Sequence, residues 1–160
     1  MDPTSGLTLR RARPDDAETI ALFNEALALE TEALTLDPAR IRRGVAAVLA
    51  DESKGFYLLA ERAGRVIGQL MITYEWSDWR DGLFWWIQSV FVAPEARRGG
   101  VFAALHAEIE REARASGESC GIRLYMETEN QRARATYESL GMKLTHYVLL
   151  EDDFTPPASL

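Results

Sequence analysis

The chain is poor in the residues that build disulfides and metal centres. Its one cysteine, Cys120, cannot close an internal disulfide, which agrees with a reducing compartment, and it reads as a small core or strand residue. His106 and His146 are the two histidines, too far apart for any zinc-like ligand spacing, so no metal is expected and both read as surface or packing residues. Long apolar runs are missing too. None approaches the roughly 20 residues that span a bilayer, and the N-terminal stretch MDPTSGLTLRR carries no signal-peptide hydrophobic region. No membrane association and a cytoplasmic location are therefore expected. Basic charge is in deficit. A net charge of −7 argues against nucleic acid and anionic lipid as partners and suits a neutral or cationic small molecule, although Glu151, Asp152 and Asp153 place part of it in the tail. With 160 residues, 47% of them hydrophobic, the chain can fill one core but not two. The expectation is a single domain over 1–160, with its core over 7–150 and a loose C-terminal tail over 152–160.

What is present centres on Trp85 to Ser116, which reads as strand, tight turn and helix. Ile87 to Val92 is short, apolar and β-branched, Ala93-Pro94 stops it, and Phe102, Leu105, Ile109 and Ala113 then recur at helical spacing. Between them lie Arg97, Arg98, Gly99 and Gly100. Glycines let backbone approach a ligand closely, a helix N-terminus presents N–H donors, and arginines add positive charge, a combination that suits a pyrophosphate. An ordinary strand-to-helix connection is the plain alternative. No Gly-Lys-Ser/Thr follows and the glycines are not spaced as a dinucleotide fingerprint, so any phosphate ligand here belongs to another class.

Along the rest of the chain, Leu7 to Arg11 reads as a first strand. Pro14-Asp15-Asp16 opens a helix whose buried stripe is Ile20, Phe23, Leu27 and Leu34. Asp37-Pro38 caps a second helix with Ile41, Val45, Val48 and Leu49 on one face. Strands over 56–61 and 66–76, joined by Arg62-Ala63-Gly64-Arg65, form a hairpin, and 84–92 pairs next. Trp76, Trp79, Trp85 and Trp86 read as half-buried sheet aromatics, with a substrate wall or dimer patch as the alternative. After the long helix, Gly121 to Met126 is a strand. Thr128 and Gln131 then have capping-box spacing for a helix that buries Ala133, Tyr137 and Leu140 and closes at Gly141. Met142 to Leu150 is a last strand. The order β-α-α-β-β-β-α-β-α-β is α/β with a mixed sheet, and its helical crossover makes the strands at 84–92 and 121–126 parallel. A homodimer through the exposed hairpin or the last strand is an expectation.

Two segments resemble the GNAT superfamily of acetyl-CoA-dependent N-acetyltransferases. Val92-Ala93-Pro94-Glu95-Ala96-Arg97-Arg98-Gly99-Gly100-Val101 is similar to the family's V-x-P-x-x-R/Q-x-x-G-x-G/A turn. Asn130 to Met142, NQRARATYESLGM, is similar to its N-x-x-A-x-x-x-Y-x-x-x-G-F/M helix. The resemblance implies the acyl-CoA N-acyltransferase fold and acetyl-CoA as cosubstrate. It implies that backbone N–H groups from Arg98, Gly99, Gly100, Val101 and Phe102 hold the pyrophosphate beside the Arg97 side chain. Pantetheine would pair with backbone near Val92, where the strand at 84–92 splays from its parallel neighbour. The Val90 N–H would stabilise the oxyanion, Asn130 would touch the cofactor, and Tyr137 would protonate the departing CoA thiolate.

The sequence also departs from the family. Phe102 stands where Gly or Ala usually starts the helix, and Trp86 and Gln88 stand where relatives often carry a Glu base. Candidate bases elsewhere are Glu30, Glu32, Glu75 and Glu127, and a water ordered by Gln88 or an amine already neutral would need none. Glu30, Glu32 and Glu75 would otherwise hold a cationic substrate, flanked by tryptophans. The expected function is acetyl transfer to the primary amine of a small cationic molecule. The alternatives are a non-catalytic acyl-CoA or metabolite-binding protein of the same fold, or a modifier of protein termini or side chains.

Overall fold

The computed structural model describes residues 6–155, so the last part of the expected tail, 156–160, lies outside the described residues. The chain falls into two compact units, one running to Leu124 and the other beginning at Tyr125.

The first unit holds β1 (Leu7–Arg11), α1 (Ala17–Glu32), α2 (Pro38–Ala50), β2 (Phe56–Arg62), β3 (Arg65–Ser77), β4 (Gly82–Val92), α3 (Val101–Ser116) and β5 (Ser119–Arg123). The strands form one five-stranded sheet in the order β1-β2-β3-β4-β5. Neighbours are antiparallel up to β4, whereas β4 and β5 are parallel, as a helical crossover through α3 requires. The mixed α/β class is the one expected.

Local chemistry sets the element ends. Asp37 accepts the Arg40 N–H at 2.7 Å and Pro38 fills the first turn of α2. The β2–β3 turn puts both Ala63 (φ 51°) and Gly64 (φ 74°) in the left-handed region, the primed geometry that matches strand twist. Helix α1 stops because Ala33 turns left-handed at φ 51°, and this corrects one expectation: Leu34 falls past the helix end and stands 47% exposed rather than in the buried stripe.

Alternation along the strands feeds two cores. Leu58, Ala60, Leu70 and Ile72 pack with Val101, Leu105 and Ile109 of α3. Tyr57, Leu59 and Met71 pack with Ile20, Ala21, Ile41, Val45, Val48 and Leu49 of α1 and α2. Each fully buried Leu or Ile contributes about 1.5–3 kcal/mol, so the sheet is held from both faces.

In the second unit the chain forms α4 (Gln131–Ser139). Its cap is Asn130, whose Oδ1 accepts the Ala133 N–H at 3.0 Å, in place of the expected Thr128. Ala133, Tyr137 and Leu140 are half-buried, and Gly141 closes the helix at φ 89°, both as expected. The strand expected over 142–150 is absent. A strand persists only as a rung of a ladder, and among the described residues this unit contains no second strand. Leu144, Val148 and Leu150 of that segment are accordingly exposed. The expected strand at 121–126 runs instead from Ser119 to Arg123.

Candidate active site

The two strands that frame the site part company early. β4 pairs with β5 only from Leu83 to Trp86, and β5 ends at Arg123 while β4 continues to Val92. Six residues of β4, 87–92, thus extend beyond the last parallel pair. Backbone alternation tells which groups lie on the edge turned from β3. The Ala93 N–H donates to Ile67 of β3 at 2.9 Å, so two-residue alternation turns Val92 and Val90 the other way. Arg97 corroborates this, because its Nε reaches the Val92 carbonyl on that side at 2.8 Å.

A bulge sits in the same segment. Gln69 pairs with Phe91 and Met71 with Gln88, so one β3 residue faces two of β4, and Ser89 takes the left-handed conformation at φ 50°. Behind the bulge lies a buried polar chain. Gln69 Nε2 donates to the Ser89 carbonyl at 3.3 Å and to Asn24 Oδ1 at 3.1 Å, while Asn24 Nδ2 donates to the Tyr57 hydroxyl at 3.4 Å. Sequence reasoning passed over these residues. The available signal was a glutamine inside the otherwise apolar run from Val66 to Ile72.

The turn after β4 runs on left-handed backbone. Arg98 (φ 63°) and Gly100 (φ 71°) are left-handed, and Gly100 caps α3 without a side chain. A Cβ on Gly99 would stand 3.2 Å from the Ala96 carbonyl oxygen, so the turn is packed tightly underneath. The first-turn donors of α3 therefore begin on bare backbone, which fits a diphosphate group. Arg97 spends its side chain differently from the expectation. It bridges the Val92 carbonyl and Glu30, the latter at 2.8 Å, and its guanidinium lies 5.6 Å from the Phe91 ring centroid. Both partners of the ion pair are more than 40% exposed, and such pairs contribute only about 0–1 kcal/mol, so the pair does little to hold the arginine in place. Phe102 is half-buried, with its ring 6.1 Å from that of His106.

The outer part of the sheet is polar and aromatic. Glu75 accepts the Trp86 indole N–H at 2.9 Å through Oε2 and Arg123 at 2.6 Å through Oε1, so both its oxygens are engaged. Arg123 also lies 3.5 Å over the Phe84 ring, and Gln88 donates to the Thr73 hydroxyl at 2.5 Å. Glu32 is an exposed residue at the end of α1. Trp76 and Trp79 are exposed, at 59% and 86%, whereas Trp85 is buried. In the second unit Asn130 is the cap of α4. Burial raises the half-buried Tyr137 phenol above its ordinary pKa, which keeps it protonated. Among the described residues no three His, Cys, Asp or Glu side chains come together as metal donors, and no helix is long and apolar enough to cross a membrane.

An α/β sheet with a parallel β4–β5 pair that opens, a bulge in β4 and a helix start capped by glycine beyond it make up the frame of the site. The family model of the acetyltransferase (GNAT) family matches residues 20–142, which covers most of the chain and parts of both units. The chain belongs to the GNAT acetyltransferase family.

A possible acetyltransferase from Clostridium difficile 630 is 46% identical, covers 94% of this chain and 99% of its own, and superposes with a TM-score of 0.87. Two remoter structures share the fold. A predicted acetyltransferase from Clostridium acetobutylicum, solved with acetyl-CoA, is 16% identical, with a TM-score of 0.75 over 91% of this chain and 96% of its own. A ribosomal-protein-alanine N-acetyltransferase from Brucella melitensis biovar Abortus 2308 is 14% identical, with a TM-score of 0.75 over 93% and 99%. No curated protein matches the chain.

Proposed function

We propose that the chain is an acetyl-CoA-dependent N-acetyltransferase whose acceptor is the primary amine of a small cationic molecule. The observation that carries this reading is the β4 edge. Val90 and Val92 turn their backbone away from β3, beyond the last β5 pair, on the strand that leads into the bare turn at Arg98–Gly100. Backbone N–H groups from Arg98 to Phe102 hold the pyrophosphate, and Arg97 exchanges Glu30 for it. Val92 backbone pairs with pantetheine. The acceptor amine attacks the thioester carbon, and charge that collects on the acyl oxygen is met by the Val90 N–H, a fixed donor with no reorganisation to undergo. Asn130 contacts the cosubstrate, and Tyr137, which burial keeps in its protonated form, gives its proton to the departing thiolate. A fold neighbour that carries acetyl-CoA supports the choice of donor.

The acceptor amine reaches its neutral form through water ordered by Gln88. Glu75 already accepts from Trp86 and Arg123, and Glu32 stands in solvent, so these carboxylates serve the cationic acceptor as counter-charge. One observation favours a second reading, a protein that binds acyl-CoA without turnover: no carboxylate stands at Trp86 or Gln88 and bulky Phe102 starts the helix. Calorimetric titration with acetyl-CoA, followed by thiol release over a panel of amines, separates the two. Binding with thiol release is the expected result; binding with no release for any amine supports the second reading, and no binding refutes both.

A further inference from the structure

Gln69 is fully buried, Asn24 is 6% exposed and Tyr57 4%, yet all three are polar and none belongs to the family motifs above. Their hydrogen bonds run in one direction. The Ser89 carbonyl can only accept, so the atom of Gln69 that faces it must be Nε2, and the same nitrogen's second hydrogen goes to Asn24 Oδ1. Asn24 in turn donates to Tyr57, whose burial raises its pKa and keeps it a neutral phenol. This orientation leaves Gln69 Oε1 buried with no hydrogen-bond partner among the described residues. An orphaned buried oxygen is a standing penalty that leucine or methionine of similar volume would avoid. Packing therefore does not explain a glutamine here, whereas its donation to Ser89 does.

The carbonyl that receives Gln69 belongs to the same peptide unit as the Val90 N–H. No peptide among the described residues is cis, so these two groups point in opposite directions from one rigid plane. A donor on the oxygen draws electron density from the peptide and makes its N–H a stronger donor, the usual cooperativity of amide chains. It also fixes a peptide that the ladder does not hold, because Ser89 is in the bulge.

We propose that Gln69 is a positioning residue for catalysis: through the Ser89 carbonyl it orients and polarises the Val90 N–H that receives the acyl oxygen. The inference rests on the reading of Val90 as oxyanion donor. The 3.3 Å separation between Gln69 Nε2 and the Ser89 oxygen leaves room for the bond to shorten as charge builds on the far side of the peptide.

The test uses the full chain with bound acetyl-CoA carrying 13C at the acetyl carbonyl, read by isotope-edited infrared spectroscopy, beside steady-state kinetics. In the unaltered protein the carbonyl band is expected below its frequency in buffer. In Gln69→Met the band should move back toward the free value and kcat fall about tenfold, with KM and Kd for acetyl-CoA within about twofold. Gln69→Asn keeps a buried amide but withdraws the donor by one methylene; it should behave alike and carries the test if the methionine variant does not fold. A band that stays shifted with kcat intact in a folded variant overturns the role of Gln69 while leaving Val90 standing. Equal losses in affinity and kcat mark a merely structural residue and overturn it too. An unshifted band in the unaltered protein removes the Val90 reading itself, and this proposal with it, before any variant is made.

Discussion

Two glycine-to-alanine substitutions should move stability in opposite directions. Gly68 lies on β3 where α3 begins: an added Cβ would stand 2.9 Å from Val101 Cγ1, 3.3 Å from the Phe91 carbonyl oxygen and 3.6 Å from Val92 Cγ2. Val101 is 1% exposed and β-branched in a helix, so it has essentially one rotamer and cannot swing aside. Overpacking of this kind costs about 1–3 kcal/mol, offset by about 0.4–1 kcal/mol from a stiffer unfolded chain, so the net loss is about 1–2 kcal/mol. For a chain of this size that corresponds to a Tm about 5 °C lower. Because the displaced residue is the first of α3, acetyl-CoA affinity should drop as well, about fivefold if some 1 kcal/mol of the displacement reaches the site. Gly44, in the middle of α2, meets nothing within 4 Å, and alanine there should stabilise by about 1 kcal/mol and leave affinity unchanged. Thermal melts and calorimetry on both variants check this. A Gly68→Ala protein at least as stable as the parent, with unaltered acetyl-CoA affinity, would refute the packing argument that ties β3 to the helix start.

Replacing Gly100 by valine forces a β-branched residue to φ 71° and should weaken CoA itself at least tenfold; unchanged calorimetric affinity would contradict the pyrophosphate assignment. Tyr137→Phe should lower kcat by about 10²-fold or more with little change in acetyl-CoA affinity, and because burial raises the phenol's pKa, any basic limb set by Tyr137 lies above its ordinary value of ~10. His106 is 4% exposed and its Nε2 lacks a hydrogen-bond partner among the described residues; burial holds its pKa below the ordinary 6.5, against the upward pull of Glu110. The unfolded chain then binds more protons than the folded one below about pH 6.5, so stability should fall with acidification through that range. Melts of His106→Leu at pH 7.5 and 5 should show a smaller drop than the parent, and an identical drop would count against the assignment.

Where local chemistry decides the structure, the sequence was readable. Asp37-Pro38, Ala63-Gly64 and the stripe of α3 each carry their own signal, and the β4–turn–α3 piece followed from periodicity and two glycines. Features decided by partners elsewhere in the chain were not. Met142 to Leu150 has the composition of a strand but no neighbour in its unit to pair with. Thr128 and Asn130 are both fit to cap α4, and only the backbone chooses the second. The same holds in the site. The ion pair of Arg97 with Glu30, 67 residues away, and the engagement of both Glu75 oxygens by Trp86 and Arg123 are visible only in the fold. The bulge at Ser89 has no sequence signature, since it exists only as a mismatch in residue count between two strands.

That mismatch sets the parity of the strand. Before it, Gln88 bonds to Thr73; after it, the odd-numbered Phe91 stacks 4.8 Å from Phe23 of α1, while Val90 and Val92 pack toward the core of α3. One supernumerary residue therefore exchanges inside for outside along the remainder of β4. Deleting Ser89 would mend the ladder with Phe91 still opposite Gln69 and the two valines still toward α3, so the fold should tolerate a single-codon deletion here, whereas a residue added elsewhere in β4 would send them to the wrong faces. The effect of an insertion or deletion in this segment is set by the parity it leaves behind.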